Sequence, residues 1–447
     1  MATTSQWWSG QQASLVNSAV RYMAISGNGN AVVTNEVDTA SVVASAGTAR
    51  GLAVRLSAAP GAGTSYRFQL SINGVASTQI DVTISEGATV GTVSASAEIA
   101  AGDLVTIKVT PTGTPGVVDA EYWTEFDPTT ANAYCYPAGL GNGLLSSAAQ
   151  YAPLFGNHAQ LSSSAFITRT IAPYAGTITA LYMSIGTAPG AGASWDFCIT
   201  RNGLEEASSV INIAEAGKTG NVTGLSIAVA AGDYLEFKVK AENGLATSTR
   251  GVSCCAIFVP TIAGLFCLYG NTNTTPGEAA VAYGVLGARR NIGYNATETV
   301  VSVRAPAPLR VRAMAALLTT APTGAGKSRT FTFRSDPGGG GSPASGTNTF
   351  TITNTATSGS DTAHSDIVAA GDLIDLMHTP ANTPAVSSGL AWAIGAMTNT
   401  SLGGGGSTGG KGKGGGKGGG TGSPPVPPGK LKAFGVGRWN LGNRRWF

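Results

Sequence analysis

Ala59-Pro-Gly-Ala-Gly-Thr-Ser-Tyr-Arg-Phe-Gln-Leu-Ser-Ile-Asn-Gly74 decides the fold, because the chain repeats it. It returns as Ala188-Pro-Gly-Ala-Gly-Ala-Ser-Trp-Asp-Phe-Cys-Ile-Thr-Arg-Asn-Gly203, and more loosely as Ala321-Pro-Thr-Gly-Ala-Gly-Lys-Ser-Arg-Thr-Phe-Thr-Phe-Arg-Ser-Asp336. Downstream of each copy stands a second phrase: Ala100-Ala-Gly-Asp-Leu-Val, Ala230-Ala-Gly-Asp-Tyr-Leu and Ala369-Ala-Gly-Asp-Leu-Ile. Pro60, Pro189 and Pro322 lie 129 and 133 residues apart, and Gly102, Gly232 and Gly371 lie 130 and 139 apart. Two markers in step at one period mean three copies of one unit. A period near 130 is too long for a solenoid repeat, so each copy is expected to be a complete domain.

Within a copy the pattern is β. Leu52-Ala-Val-Arg-Leu-Ser and Tyr66-Arg-Phe-Gln-Leu-Ser-Ile alternate apolar and polar residues, as half-buried strands do. Pro60-Gly61 and Pro189-Gly190 turn the chain, as Pro322 does in the third copy. Asn73-Gly74 and Asn202-Gly203 are hairpin signals. The third copy replaces that dipeptide with the longer Asp336-Pro-Gly-Gly-Gly-Gly-Ser-Pro. Asp103, Asp233 and Asp372 each follow a Gly at the start of a strand, where a carboxylate accepts local backbone amides. About eight short strands per copy and almost no helical pattern predict an all-β chain of three tandem antiparallel jelly-roll-like β-sandwiches. The expected boundaries are 22–128, 129–264 and 265–399. Residues 1–21 read as a separate lead-in, with a short helix over Gln11–Tyr22 and a Trp7-Trp8 pair that a body domain or a partner must cover.

Charged residues are only 11% of the 447, and the small excess of base is unevenly placed. The last 47 residues hold eight basic residues and no acid, leaving 19 basic against 24 acidic on the rest. Residues 400–429 are a Gly/Lys/Pro-rich linker, flexible and then stiff. Residues 430–447 interleave Phe434, Trp439, Trp446 and Phe447 with Arg438, Arg444 and Arg445, which are anchor types at interfaces. A tether ending in a partner-docking peptide is the expectation. Folding back on the body, disorder and a weak nucleic-acid contact are the competing readings.

Candidate chemistry is sparse. Ala321-Pro-Thr-Gly-Ala-Gly-Lys327-Ser328 resembles a phosphate loop, but a strand pattern follows where a working loop opens a helix. Thr64 and Ala193 stand opposite Lys327 in the other copies, so the lysine is incidental to an inherited turn. His158, His364 and His378 are scattered, and Cys135, Cys198, Cys254, Cys255 and Cys267 lack metal-ligand spacing. No catalytic residue, metal ligand or cofactor site is assigned. Tyr66 and Trp195 occupy matched positions, and alternation leaves open whether they pack in the core or face a glycan. The start has no basic, apolar leader and no run is long enough to span a membrane, so synthesis in a host cytoplasm without membrane association is expected.

The apolar strand before the Pro-Gly turn, the Phe-x-(Leu/Ile)-x-x-Asn-Gly hairpin and the Gly-Asp-Leu strand start resemble jelly-roll modules in virion proteins of tailed bacteriophages. The resemblance covers 22–399 and implies a non-enzymatic virion protein, a head decoration or a short head or tail fibre. It would be a homo-oligomer, with a trimer first, joined to other virion proteins by its tail. A glycan-binding adhesin or receptor-binding fibre, an extracellular structural filament and a sandwich hydrolase remain alternatives.

Overall fold

The computed structural model describes residues 5–12, 14–26, 33–139, 148–154, 161–163, 168–242, 251–272, 280–284, 286, 294–298, 301–305, 307–336, 343–387 and 389–398. Strand accounts for 63% of the described residues and helix for 2%. Among the described residues no helix is long and apolar enough to cross a membrane.

The first copy contains β1 (Gln6–Gln12), β2 (Arg21–Ala24), β3 (Ser41–Val42), β4 (Gly47–Leu56), β5 (Gly61–Ile72), β6 (Val75–Glu86), β7 (Val90–Ile99), β8 (Leu104–Thr112) and β9 (Ala120–Pro128). They form two sheets, β1-β9-β4-β7 and β2-β8-β5-β6, with β3 also on β8. With β2 and β3 taken as one interrupted strand, the first strand pairs with the eighth, the second with the seventh, the third with the sixth and the fourth with the fifth. That is a long hairpin rolled into a double sheet, the jelly-roll wrapping.

The second copy repeats it with β10 (Tyr134–Gly139), β11 (Gln150–Pro153), β12 (Thr170–Ile171), β13 (Gly176–Ser184), β14 (Gly190–Arg201), β15 (Leu204–Glu205), β16 (Ile211–Glu215), β17 (Thr219–Val229), β18 (Tyr234–Glu242) and β19 (Ser253–Pro260). Its sheets run β10-β19-β13-β17 and β11-β18-β14-β15, with β12 on β18 and β16 on β14. The third has β20 (Phe266–Thr272), β21 (Ala282–Gly284), β22 (Tyr294–Asn295), β23 (Val303–Arg304), β24 (Leu309–Leu318), β25 (Ser328–Asp336), β26 (Ala344–Thr353), β27 (Ser358–Asp361), β28 (Asp366–Val368), β29 (Leu373–Ala381) and β30 (Leu390–Thr398). Its order is β20-β30-β24-β27 and β22-β21-β29-β25-β26, with β28 on β24 and β23 on β29. One wrapping therefore occurs three times.

The expected lead-in is corrected. Residues 6–12 are the first strand of the first jelly roll, registered on β9 from Gln6↔Phe126 to Gln12↔Ala120. The helix expected over Gln11–Tyr22 is absent, because this stretch carries no continuous apolar stripe and a lone helix of that length is marginal. The tryptophans are covered by the body. Trp8 is fully buried and stacks on Phe126 at 4.2 Å, and Trp7 lies 5.3 Å from Phe266 of the third module.

The described residues of Met1–Leu402, the first unit of the chain, are compact. Within the first unit one hydrophobic cluster runs through all three modules. Its continuity comes from the three first strands. Register makes Gln6, Tyr134 and Phe266 equivalent, since they pair with Phe126, Phe258 and Ala396. Trp7, Cys135 and Cys267 follow them in sequence. Gln6 Nε2 donates to the Cys135 carbonyl at 2.6 Å, and the Cys135 amide donates to Gln6 Oε1 at 2.8 Å. Tyr134 Oη donates to the Cys267 carbonyl at 2.6 Å. Phe266 packs on Trp7. Each module thus reaches the next by the same strand, and the third reaches the first. Head-to-tail contacts that close in this way make a ring.

Candidate functional site

The two repeated phrases meet in space. Asn73 (φ 51°) and Gly74 (φ 82°) form the turn between β5 and β6, in the left-handed region that Asn and Gly tolerate. Asn73 Nδ2 donates to Asp103 Oδ1 at 2.7 Å, and the Leu104 amide donates back to Asn73 Oδ1 at 2.9 Å. Asp103 Oδ2 accepts the Ala100 amide at 2.7 Å. The second module reproduces every bond: Asn202 to Asp233 at 2.7 Å, the Tyr234 amide to Asn202 at 3.1 Å, and the Ala230 amide to Asp233 at 2.8 Å. In the third, Asp372 accepts the Ala369 amide at 2.8 Å. At the other turn, Gly61, Gly190 and Gly324 adopt φ of 107°, 98° and 102°. The Pro60 and Pro322 carbonyls accept the amides of Gly116 and Ala385, tying that turn to the approach to the last strand.

The other candidates resolve into packing. Tyr66 and Trp195 are buried, so neither offers a ring to a glycan. Tyr66 Oη donates to the Gly116 carbonyl at 2.9 Å. Lys327 ends a turn and strand β25 begins at Ser328, with no helix at the site. The five cysteines are buried and unbridged, and burial pushes the thiols of Cys254 and Cys267 up to about 12. His378 is buried, and burial together with neighbouring Arg329 lowers it to about 3. Arg329 Nη1 lies 3.0 Å from His378 Nε2, which must accept because a guanidinium only donates. His364 is exposed and holds Asp361 at 2.8 Å. His158 lies outside the described residues. Among the described residues no group of three His, Cys, Asp or Glu could hold a metal ion.

Two buried carboxylates carry the largest perturbations among the acids. Glu236 and Asp375 occupy one repeat position, held in the first module by Thr106. All three side chains are buried and bind a neighbouring segment of their own module. Thr106 donates to the Met23 carbonyl at 2.6 Å. Glu236 accepts Thr200 at 3.2 Å and stands 3.6 Å from Arg169. Asp375 accepts Ser302 at 2.7 Å. Burial raises both carboxyls to about 7. Their place is structural: each pins the second strand region to the seventh strand.

Sequence reasoning missed the row Glu121, Trp123, Glu125 and Asp127 on the outward face of β9, where every second residue is half-buried. The equivalent rows are Ser253, Cys255, Ile257 and Val259 on β19, and Ala391, Ala393, Gly395 and Met397 on β30. Those strands are almost wholly buried. A strand buried on both faces reads as an apolar run, whereas one with a wet face alternates. That contrast between the three closing strands was the available signal.

The docking residues Phe434, Arg438, Trp439, Arg444, Arg445, Trp446 and Phe447, and the linker before them, lie outside the described residues. The fold places the chain in a class, the tandem triple jelly roll. No family model matches it, and no curated protein matches it in sequence. Among solved structures it is similar to a chain described as "The Triple Jelly Roll Fold and Turret Assembly in an Archaeal Virus", at 9% identity and a TM-score of 0.17, covering 80% of this chain and 78% of that one. A likeness that slight transfers no function.

Proposed function

We propose that this chain is a non-enzymatic structural protein of a virion, a head decoration or short fibre of a tailed phage, held to the particle by residues 430–447. The reading is carried by one observation: the three modules are joined through their interiors, so the repeated residues serve turns and joints. The Asn and Asp of the repeated phrases bind each other and the backbone. The glycan-binding alternative loses Tyr66 and Trp195, which are buried. The tail then acts as a tether whose single weak contacts are strengthened by linkage within an oligomer, a trimer first. Deletion of residues 401–447 tests this. The truncated protein should fold, keep its oligomeric state and fail to enter particles; normal incorporation would refute the tether.

A further inference from the structure

The three joints of the ring are built from equivalent parts, so each serves as a control for the others. In every module the short strand on the seventh strand leads into a segment that covers the next module's outward face. Ser45, Tyr174 and Ala307 are equivalent there, because Val43, Ala172 and Ala305 donate their amides to Asp103, Asp233 and Asp372. Between the first and second modules, β3 packs on β10 and β19, and the Val42 amide donates to Ser253 Oγ at 3.0 Å. Between the second and third, β12 packs on β24 and β30. Tyr174 presses so closely on Gly395 that a Cβ there would lie 2.6 Å from its ring.

The third joint is different at both of these positions. The residue equivalent to Tyr174 is Ala307, and the residue equivalent to Gly395 is Glu125. At this joint an open cleft of about 170 Å³ is lined by Trp7, Arg50, Leu52, Trp123, Glu125 and Ala307. It is smaller than a drug-sized pocket, and its lining combines apolar walls with a few polar groups, as small-molecule sites do. The cation of the lining, Arg50, is ion-paired with Asp127 through Nε at 2.5 Å. The cleft's polar acceptor is the carboxyl of Glu125, and its flat apolar surface is indole. Aromatic rings suit a ligand with an apolar face, and a carboxyl oxygen suits one with hydroxyl donors.

We propose that this cleft binds a neutral saccharide, stacked on Trp123 and held through a hydroxyl by Glu125. The site is distinct from the tail and stands whether or not the chain is anchored in a particle. The test titrates the full chain with neutral oligosaccharides of glucose, galactose, mannose and N-acetylglucosamine, followed by calorimetry, with choline as a cationic probe. At least one saccharide should bind. Trp123→Ala, Glu125→Gln and Ala307→Tyr should each weaken it by about tenfold or more. Ala307→Tyr places a ring in the cleft against Glu125, where the second joint has Gly395, and an unchanged melting temperature separates a blocked cleft from a damaged fold. No binding up to about 10 mM, binding of choline alone, or saccharide binding undiminished in folded Trp123→Ala and Ala307→Tyr would each overturn the proposal.

Discussion

Asn73 and Asn202 each do two things at once, and the second was hidden in the sequence. The Asn-Gly dipeptide announces a hairpin, and both asparagines take φ near 50° as that turn requires. Nothing in the spacing says that their side chains also bridge to Asp103 and Asp233, because those aspartates lie about thirty residues on. Asn73→Ala should therefore cost ~1–2 kcal/mol, from a strained φ plus lost hydrogen bonds. Asn73→Gly, which relieves only the strain, should cost less; chemical denaturation of both variants measures the difference. Glu236 gives a pH prediction. Its carboxyl holds a proton to about 7 in the fold against an ordinary value of 4.5. The protonated form is favoured by folding, so this contribution is complete below the ordinary value and is lost as pH rises through 7. Glu236→Gln, which keeps the shape without the charge, should flatten the fall in stability between about pH 5 and 8 by on the order of 1–2 kcal/mol. Melting curves across that range in both proteins would show it, and parallel curves would contradict it. At this scale the sequence showed which residues turn the chain. Alternation left Tyr66 and Trp195 undecided, because it defines two faces without saying which is inside.

At the scale of strands, the plug at the second joint carries the clearest cost. Tyr174 is buried between two modules, and its hydroxyl lies 3.1 Å from Cys267 Sγ. Tyr174→Ala should destabilise the protein by ~3–5 kcal/mol, as large-to-small changes at aromatic core sites do. The same change at Trp123, which faces the open joint, should cost far less, and thermal melts of the two variants compare them directly. Most strands were legible as alternating runs, down to the hairpin of β5 and β6. Strand β1 was not. Trp-Trp-Ser-Gly-Gln-Gln is poor in β-branched residues, and its strand character comes from pairing with β9, more than a hundred residues away. The closing strands contained readable information of another kind. Cys254-Cys255-Ala-Ile and Leu390-Ala-Trp-Ala-Ile are unbroken apolar runs, and both faces of each are buried, whereas Glu121-Tyr-Trp-Thr-Glu alternates and keeps a wet face.

For the whole molecule, the triplication was visible in the period of two phrases, and the closure of the copies on one another was not. Closure depends on Gln6, Tyr134 and Phe266, three unlike residues that share a register position and perform one task with different chemistry: amide pairing, a phenolic hydrogen bond and ring packing. A repeat search aligned on similarity passes over such a position. Closure also bears on what an oligomer of this chain would be, since each copy already presents three sandwiches as one body before any second chain is added. Solution scattering from residues 1–402 at low concentration puts this to the most direct test. Three modules closed head to tail should give a radius of gyration of about 22–25 Å, near that of a compact body of this length. A value of about 33 Å, that of three such modules in a row, would contradict the ring.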